Sequence, residues 1–239
     1  MSNYQTVARS RAAAAIDEGL RAYMNRVYGL MAAAMAITGV VAYVIGTSPT
    51  LLAAIYGGPQ KYVVMFAPLL VVFAFGAAIN RMSQATAQLV FWGFAALMGA
   101  SMSFIFAVYT GVSIAQTFFV TAIAFGGLSL YGYVTKRDLS GFGTFLVMGV
   151  IGLIVASIVN IFLVSSALQF AISVVGVLIF AGLTAYDTQQ IKNEYLGMSQ
   201  MGAEGEAVMG KASIMGALRL YLDFINMFMF LLHFLGNRE

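Results

Sequence analysis

The chain has no cysteine and a single histidine among its 239 residues. The first absence removes disulfides, thiolate nucleophiles and cysteine metal sites, and it leaves the redox compartment unreadable. The lone His233 lies near the C-terminus, so a histidine-rich metal centre is excluded. Charge is scarce too. Asp, Glu, Lys and Arg make up 9% of the residues, where soluble domains carry roughly 25%. Hydrophobic residues make up 61%. A soluble domain is therefore excluded, and an all-α integral membrane protein is the expectation. The apolar runs lack the alternation of a β-barrel, so they read as helices. The first 26 residues hold no apolar core with a cleavage site, which argues against a cleaved signal peptide. No phosphate loop or hydrolytic constellation is present, so neither an enzyme nor a resident cofactor is expected. The net charge of +3 is small and its basic residues are scattered. They read as topology signals rather than a nucleic-acid surface.

What is present is a set of long uncharged stretches. No Asp, Glu, Lys or Arg occurs in 27–60, 82–135 or 139–186. A helix needs about 20 residues to cross a bilayer. Turn-forming breaks at Gly46-TSP, Tyr109-TG and Val164-SSA divide these stretches. Seven spans result: Val27–Ile45, Tyr62–Ile79, Thr86–Val108, Val112–Val134, Phe142–Leu163, Leu168–Ile191 and Ala217–Leu235. Residues 1–26 form a polar N-terminal segment, and 27–236 the transmembrane domain. Asn193–Met215, rich in Gly, Met and Ala, reads as a flexible cytoplasmic link with short helical pieces.

Loop charge sets the orientation. Arg9, Arg11, Arg21, Arg26, Arg81, Lys136, Arg137, Lys192 and Lys211 fall on one side, and only Lys61 and Arg238 on the other. Positive residues favour the cytoplasm, so the N-terminus is expected inside and the C-terminus outside.

Against this background two acids stand out, Asp187 in the sixth span and Asp223 in the seventh. A carboxylate in hydrocarbon costs about 2.5–3.5 kcal/mol at a helix centre, and an intramembrane acid is a functional-site hypothesis by default. Asp187 precedes Lys192 by five residues, roughly 7 Å at 1.5 Å per residue. Asp223 follows Arg219 by four, roughly 6 Å. Both acids thus share one depth near the cytoplasmic face, where Arg81 ends the second span. On the seventh helix Arg219, Asp223 and Asn226 share a face; on the sixth, Thr184 and Asp187 do. If the carboxyls meet, both do not ionise cheaply, and the pair shares a proton. Protonation would draw the two helices together, and full deprotonation would drive them apart. Asp187 and Asp223 offer calcium too few oxygens for a dedicated cage of 6–8 ligands, so only weak, transient coordination is expected.

Plainer readings stand beside these. Asp223 pairs with Arg219 one turn away, Asp187 is an interfacial acid, and Arg81 is an interface anchor. Asn160 and Asn226 join helices, and Gly126, Gly127, Gly149 and Gly152 permit close packing. His233 is interfacial, and Lys136-Arg-Asp138 is a solvated loop.

Four stretches carry a family resemblance: Ser129-LYGYVTKRDLSGFG-Thr144, Gly149-VIGLIVASIVNIFL, Gly176-VLIFAGLTAYDTQQIK and Leu218-RLYLDFINMFMFLL. Together the chain from about Arg21 to Gly236 resembles the transmembrane Bax inhibitor motif family, most specifically in TAYDTQ around Asp187 and YLDFIN around Asp223. The resemblance implies six helices wrapped around a central C-terminal helix. It implies a pH-sensitive calcium leak of the inner membrane, with Asp187 and Asp223 as proton sensor and ion path and Arg81 as their modulator. Some relatives carry an acid on helix two; this chain has none between Lys61 and Arg81. The compact chain fits a bacterial-type member, so the cell-death role of animal relatives is not carried over. The lipid bilayer, calcium and protons are the expected partners, and a monomer the expected state. A proton-coupled calcium antiporter and a regulator that binds other membrane proteins are the competing functions.

Overall fold

The structure is a computed structural model that describes the backbone of residues 2–237 and side chains from Ile16 onward. Arg9, Arg11 and Arg238, used in the orientation argument, have side chains outside the described residues. Every element is helical: α1 (Ser2–Gly46), α2 (Pro49–Tyr56), α3 (Gln60–Ala78), α4 (Gln84–Met102), α5 (Gly111–Val134), α6 (Ser140–Leu163), α7 (Ser166–Gln200) and α8 (Ala203–Leu235), with short 3-10 turns at Ile79–Arg81 and Ser103–Ala107. Among the described residues, seven segments are long and apolar enough to cross a membrane, on α1 and α3 to α8. They match the seven expected from the sequence.

The breaks form where the sequence supplies caps. Ser48 accepts from the Leu51 amide at 3.4 Å, with Pro49 at the first turn of α2. Thr110 accepts from Ser113 at 3.2 Å to open α5, and Ser165 from Leu168 at 3.2 Å to open α7. Such caps satisfy amides that have no partner within the helix, a need that is acute where water is scarce. Between α6 and α7, Val164 takes a left-handed conformation (φ 48°). Asn160 closes that corner. Its carboxamide accepts from the Ser165 amide and donates to Gln169, both at 3.0 Å.

Burial identifies the centre of the bundle. In its apolar window α8 is 61% buried, against 11–39% for the other spans. It packs against α1, α4, α5 and α7. At the other extreme α6 exposes Phe142, Phe145, Ile154 and Phe162, and α3 exposes Val63, Leu70 and Phe73. Broad exposed apolar faces on membrane-length helices are faces for lipid tails.

Three expectations need correction. The stretch 193–215 is not a flexible link: α7 continues to Gln200 and α8 starts at Ala203, so only Met201 and Gly202 lie between them. Ala, Met, Glu and Lys there are good helix formers, and Gly202 takes the positive φ (61°) that the reversal needs. At about 52 Å for 35 residues, α7 outruns the ~30 Å hydrocarbon core and carries the bundle beyond it. Secondly, α1 is one helix through residue 26, and Leu20, Tyr23 and Met24 are buried in the core. Thirdly, Gly126, Gly127 and Gly152 are not close-packing positions, since a Cβ at each would meet nothing within 4 Å. Gly149 is a close-packing position, since a Cβ there would meet Ile179 at 2.8 Å, and so is Gly132, where a Cβ would fall on the backbone carbonyl of Ala185 as α5 crosses α7.

Candidate functional site

The TAYDTQ stretch of α7 touches a different neighbour with nearly every residue. Ala185 lies against Gly132 of α5, and Tyr186 against Gly143 of α6. Thr188 donates to the Thr184 carbonyl at 2.7 Å and accepts from Ser129 at 2.9 Å; Ser129 in turn accepts from Tyr28 of α1 at 2.6 Å. Gln189 holds the α5–α6 loop from both sides. Its carboxamide donates to the Arg137 carbonyl and accepts from the Leu139 amide, both at 2.8 Å. Lys192 donates to the Tyr133 carbonyl at 2.8 Å. The loop read as merely solvated is therefore tied to α7. Asp138 remains on its surface, where the Ser140 hydroxyl and then its amide, at 2.9 Å, hold the carboxyl below the ordinary aspartate range. These contacts leave one face of α7, that of Asp187, turned toward α8.

The matching face of α8 is set by Tyr221. This fully buried ring meets Phe91 and Phe94 edge-on at 6.0 and 5.8 Å. Its hydroxyl donates to Thr38 at 2.7 Å, and Thr38 donates onward to the Ala95 carbonyl at 2.8 Å. Two residues along, about 200° around the helix, Asp223 faces the opposite way, toward α7. Tyr221→Phe should remove one net hydrogen bond, about 1 kcal/mol. The expected reading is a modest fall in the thermal unfolding midpoint in detergent with the fold retained.

Asp187 and Asp223 come within side-chain hydrogen-bonding reach of each other. Asp223 is 4% exposed, and its Oδ2 is buried without a hydrogen-bond partner. Asp187 is partly exposed. The nearby cation is Arg219, which acts electrostatically on both carboxyls. Its ion pair, however, is made across helices: Nη2 donates to the two oxygens of Glu194 on α7 at 2.7 and 2.9 Å. From α1, Tyr23 is drawn into the same electrostatic cluster by Glu194 and Arg219. Its hydroxyl is buried and unpaired.

Among the described residues, none of the remaining candidates hydrogen-bonds to either acid. Arg81 is exposed at the end of its 3-10 turn and makes no hydrogen bond or ion pair among the described residues. Its neighbour Asn80 accepts from Lys211 of α8 at 3.2 Å. Thr184 is fully buried and donates to the Phe180 carbonyl at 2.8 Å; Asn226 donates to the Leu222 carbonyl at 2.8 Å. Both are bonded to their own helices. His233 contacts the Met229 carbonyl at 2.7 Å. Glu194 was not singled out in the sequence. It lies seven residues after Asp187, two helical turns along the same face, a signal hidden by ending the helix at Ile191.

The chain that carries this geometry is similar to known proteins over nearly its whole length. The family model described as inhibitor of apoptosis-promoting Bax1 matches residues 20–239. The chain belongs to the Bax inhibitor-1 family. An uncharacterized protein of Caulobacter vibrioides is 49% identical over 98% of this chain and 96% of its own length. The inner membrane protein YbhL of Escherichia coli K12 is 45% identical over 92% of this chain and 94% of its own length. Protein RP147 of Rickettsia prowazekii is 47% identical over 93% and 92%. The match starts at Leu20, the first buried core residue of α1 among the described residues. In this Bax inhibitor-1 member the paired carboxyls and the Arg219–Glu194 ion pair all lie at the contact of α7 with α8.

Proposed function

We propose that this protein is a pH-sensitive, calcium-permeable leak of the bacterial inner membrane, with its N-terminus in the cytoplasm and its C-terminus outside. Asp187 and Asp223 share the proton that switches it and form the ion path, and Arg81 modulates their charge. The observation that carries this reading is the meeting of one carboxyl from α7 with one from α8 inside membrane-length helices.

With one proton between them, the carboxyls bond α7 to α8 and close the path. Without it, two like charges repel in a poorly screening interior. The helices then separate unless a cation enters or Arg219 compensates. Calcium is cargo in this scheme. Two carboxylates supply fewer oxygens than the 6–8 of a storage site, which favours passage over retention. The inner-membrane placement is supported by the name of the Escherichia coli relative.

The test is calcium entry into liposomes carrying the purified protein and an internal indicator dye, read across a pH series. Entry should rise with pH as the shared proton is lost. Protein that passes no calcium at any pH would contradict the reading. Calcium movement driven in fixed proportion by an imposed proton gradient would indicate an exchanger instead.

A further inference from the structure

A cavity of about 500 Å³ opens where the ends of α3, α7 and α8 meet. Asn80, Lys211, Glu194 and Arg219 line it; Asp187 and Asp223 do not. Arg219 acts on both aspartates and is bonded to Glu194. The ion pair thus lines this cavity while its arginine bears on the carboxyl contact. From α1 the buried, unpaired Tyr23 hydroxyl is acted on electrostatically by both members of the pair and by Arg26.

We propose that Arg219 is a tethered cation that plugs the cavity-side end of the path, held out of the aspartate pair by Glu194. When the guanidinium swings away, Glu194 and the Tyr23 hydroxyl offer a divalent cation its next oxygens after Asp187 and Asp223. The plug is displaceable because the pair is only half-buried: the Arg219 and Glu194 side chains are 32% and 37% exposed. Such pairs contribute little and exchange partners readily. Arginine suits the post because its guanidinium, here reaching Glu194 through Nη2 alone, never loses its charge. The inference rests on the reading of Asp187 and Asp223 as the ion path.

The two partners therefore have opposite effects. Arg219→Gln removes the plug, and calcium flux at fixed pH should rise about fivefold, the factor expected from losing one partly exposed ion pair. Glu194→Gln frees the guanidinium to turn onto the two aspartates, and flux should fall below wild type. Arg219→Lys keeps the charge and should behave close to wild type, which guards against a trivial loss of fold in Arg219→Gln. A second readout needs no flux. The chain has no cysteine, so Thr184→Cys, next to Asp187 on its helical face, supplies a single thiol. Its labelling by a charged, membrane-impermeant maleimide from the cavity side should speed up with Arg219→Gln and slow down with Glu194→Gln. If Arg219→Gln and Glu194→Gln move flux or labelling in the same direction as each other, or move neither, the plug is overturned. If wild type passes no calcium, the proposed function fails and the labelling alone decides the plug.

Discussion

Replacing Asp187 and Asp223 together by asparagine should leave a folded protein whose calcium flux is low and indifferent to pH. Asparagine keeps the size of the acid, and its carboxamide both donates and accepts. An Asn–Asn pair can therefore form the interhelical bond that the shared proton provides between the acids. That bond has no proton to lose. The like-charge repulsion that separates α7 from α8 never develops, and the oxygens left for calcium are neutral. The variant is thus held in the closed arrangement at every pH. Stability should not suffer, since burying a neutral, bonded amide avoids the cost of an intramembrane charge. Liposome flux across the pH series, with unfolding in detergent as a control, reads both parts. Each single substitution leaves one carboxyl beside an amide and should retain a weaker response. An unchanged pH profile in the double variant would remove the two aspartates from the mechanism.

The largest structural effect is expected at Gly132. Its missing Cβ is the space through which α5 meets the backbone of α7 at Ala185. A leucine there collides with a carbonyl that no rotamer change can move. Overpacking costs of 1–3 kcal/mol presume that side chains yield, so Gly132→Leu should cost about 3 kcal/mol or more. The damage also reaches function. Ala185 is two residues from Asp187, so a displaced α7 draws the acid away from Asp223 and should blunt the pH response before the bundle melts. Gly126→Ala on the same helix is the contrast. A Cβ there meets nothing within 4 Å, and replacing a helical glycine should gain about 0.5–1 kcal/mol. Unfolding midpoints of the two variants in one detergent should therefore move in opposite directions.

The spans were legible because hydrocarbon demands long uncharged helices, and the breaks because capping residues announce them. Gly46-TSP, Tyr109-TG and Val164-SSA all coincide with helix ends. Depth could be read in the same way, since rise per residue places Asp187 and Asp223 at one level. What periodicity could not supply was rotation. Whether Asp223 faces α7 depends on Tyr221 binding Thr38 from the opposite side of α8, a contact 183 residues apart. Glycine roles were illegible for a similar reason. Gly126 and Gly132 lie on one helix, and only the helix packed against it separates an open position from a tight one. The Arg219–Glu194 ion pair was illegible because the partner of Arg219 lay in a stretch taken for a loop. Gly- and Met-rich composition suggested flexibility there, but most of those residues favour a helix, and α8 gives α7 a partner to pack on.

The shared proton is the centre of this account, and infrared spectroscopy of the protein in membranes reads it directly. A carboxylic acid that carries a proton absorbs apart from a carboxylate. Titrated from acid to alkaline pH, wild type should lose one protonated-carboxyl band over the same pH interval in which calcium flux rises. The Asp187→Asn, Asp223→Asn protein should show neither change. A wild-type band that persists while flux rises, or its loss with no change in flux, would contradict the proton shared by Asp187 and Asp223 as the switch.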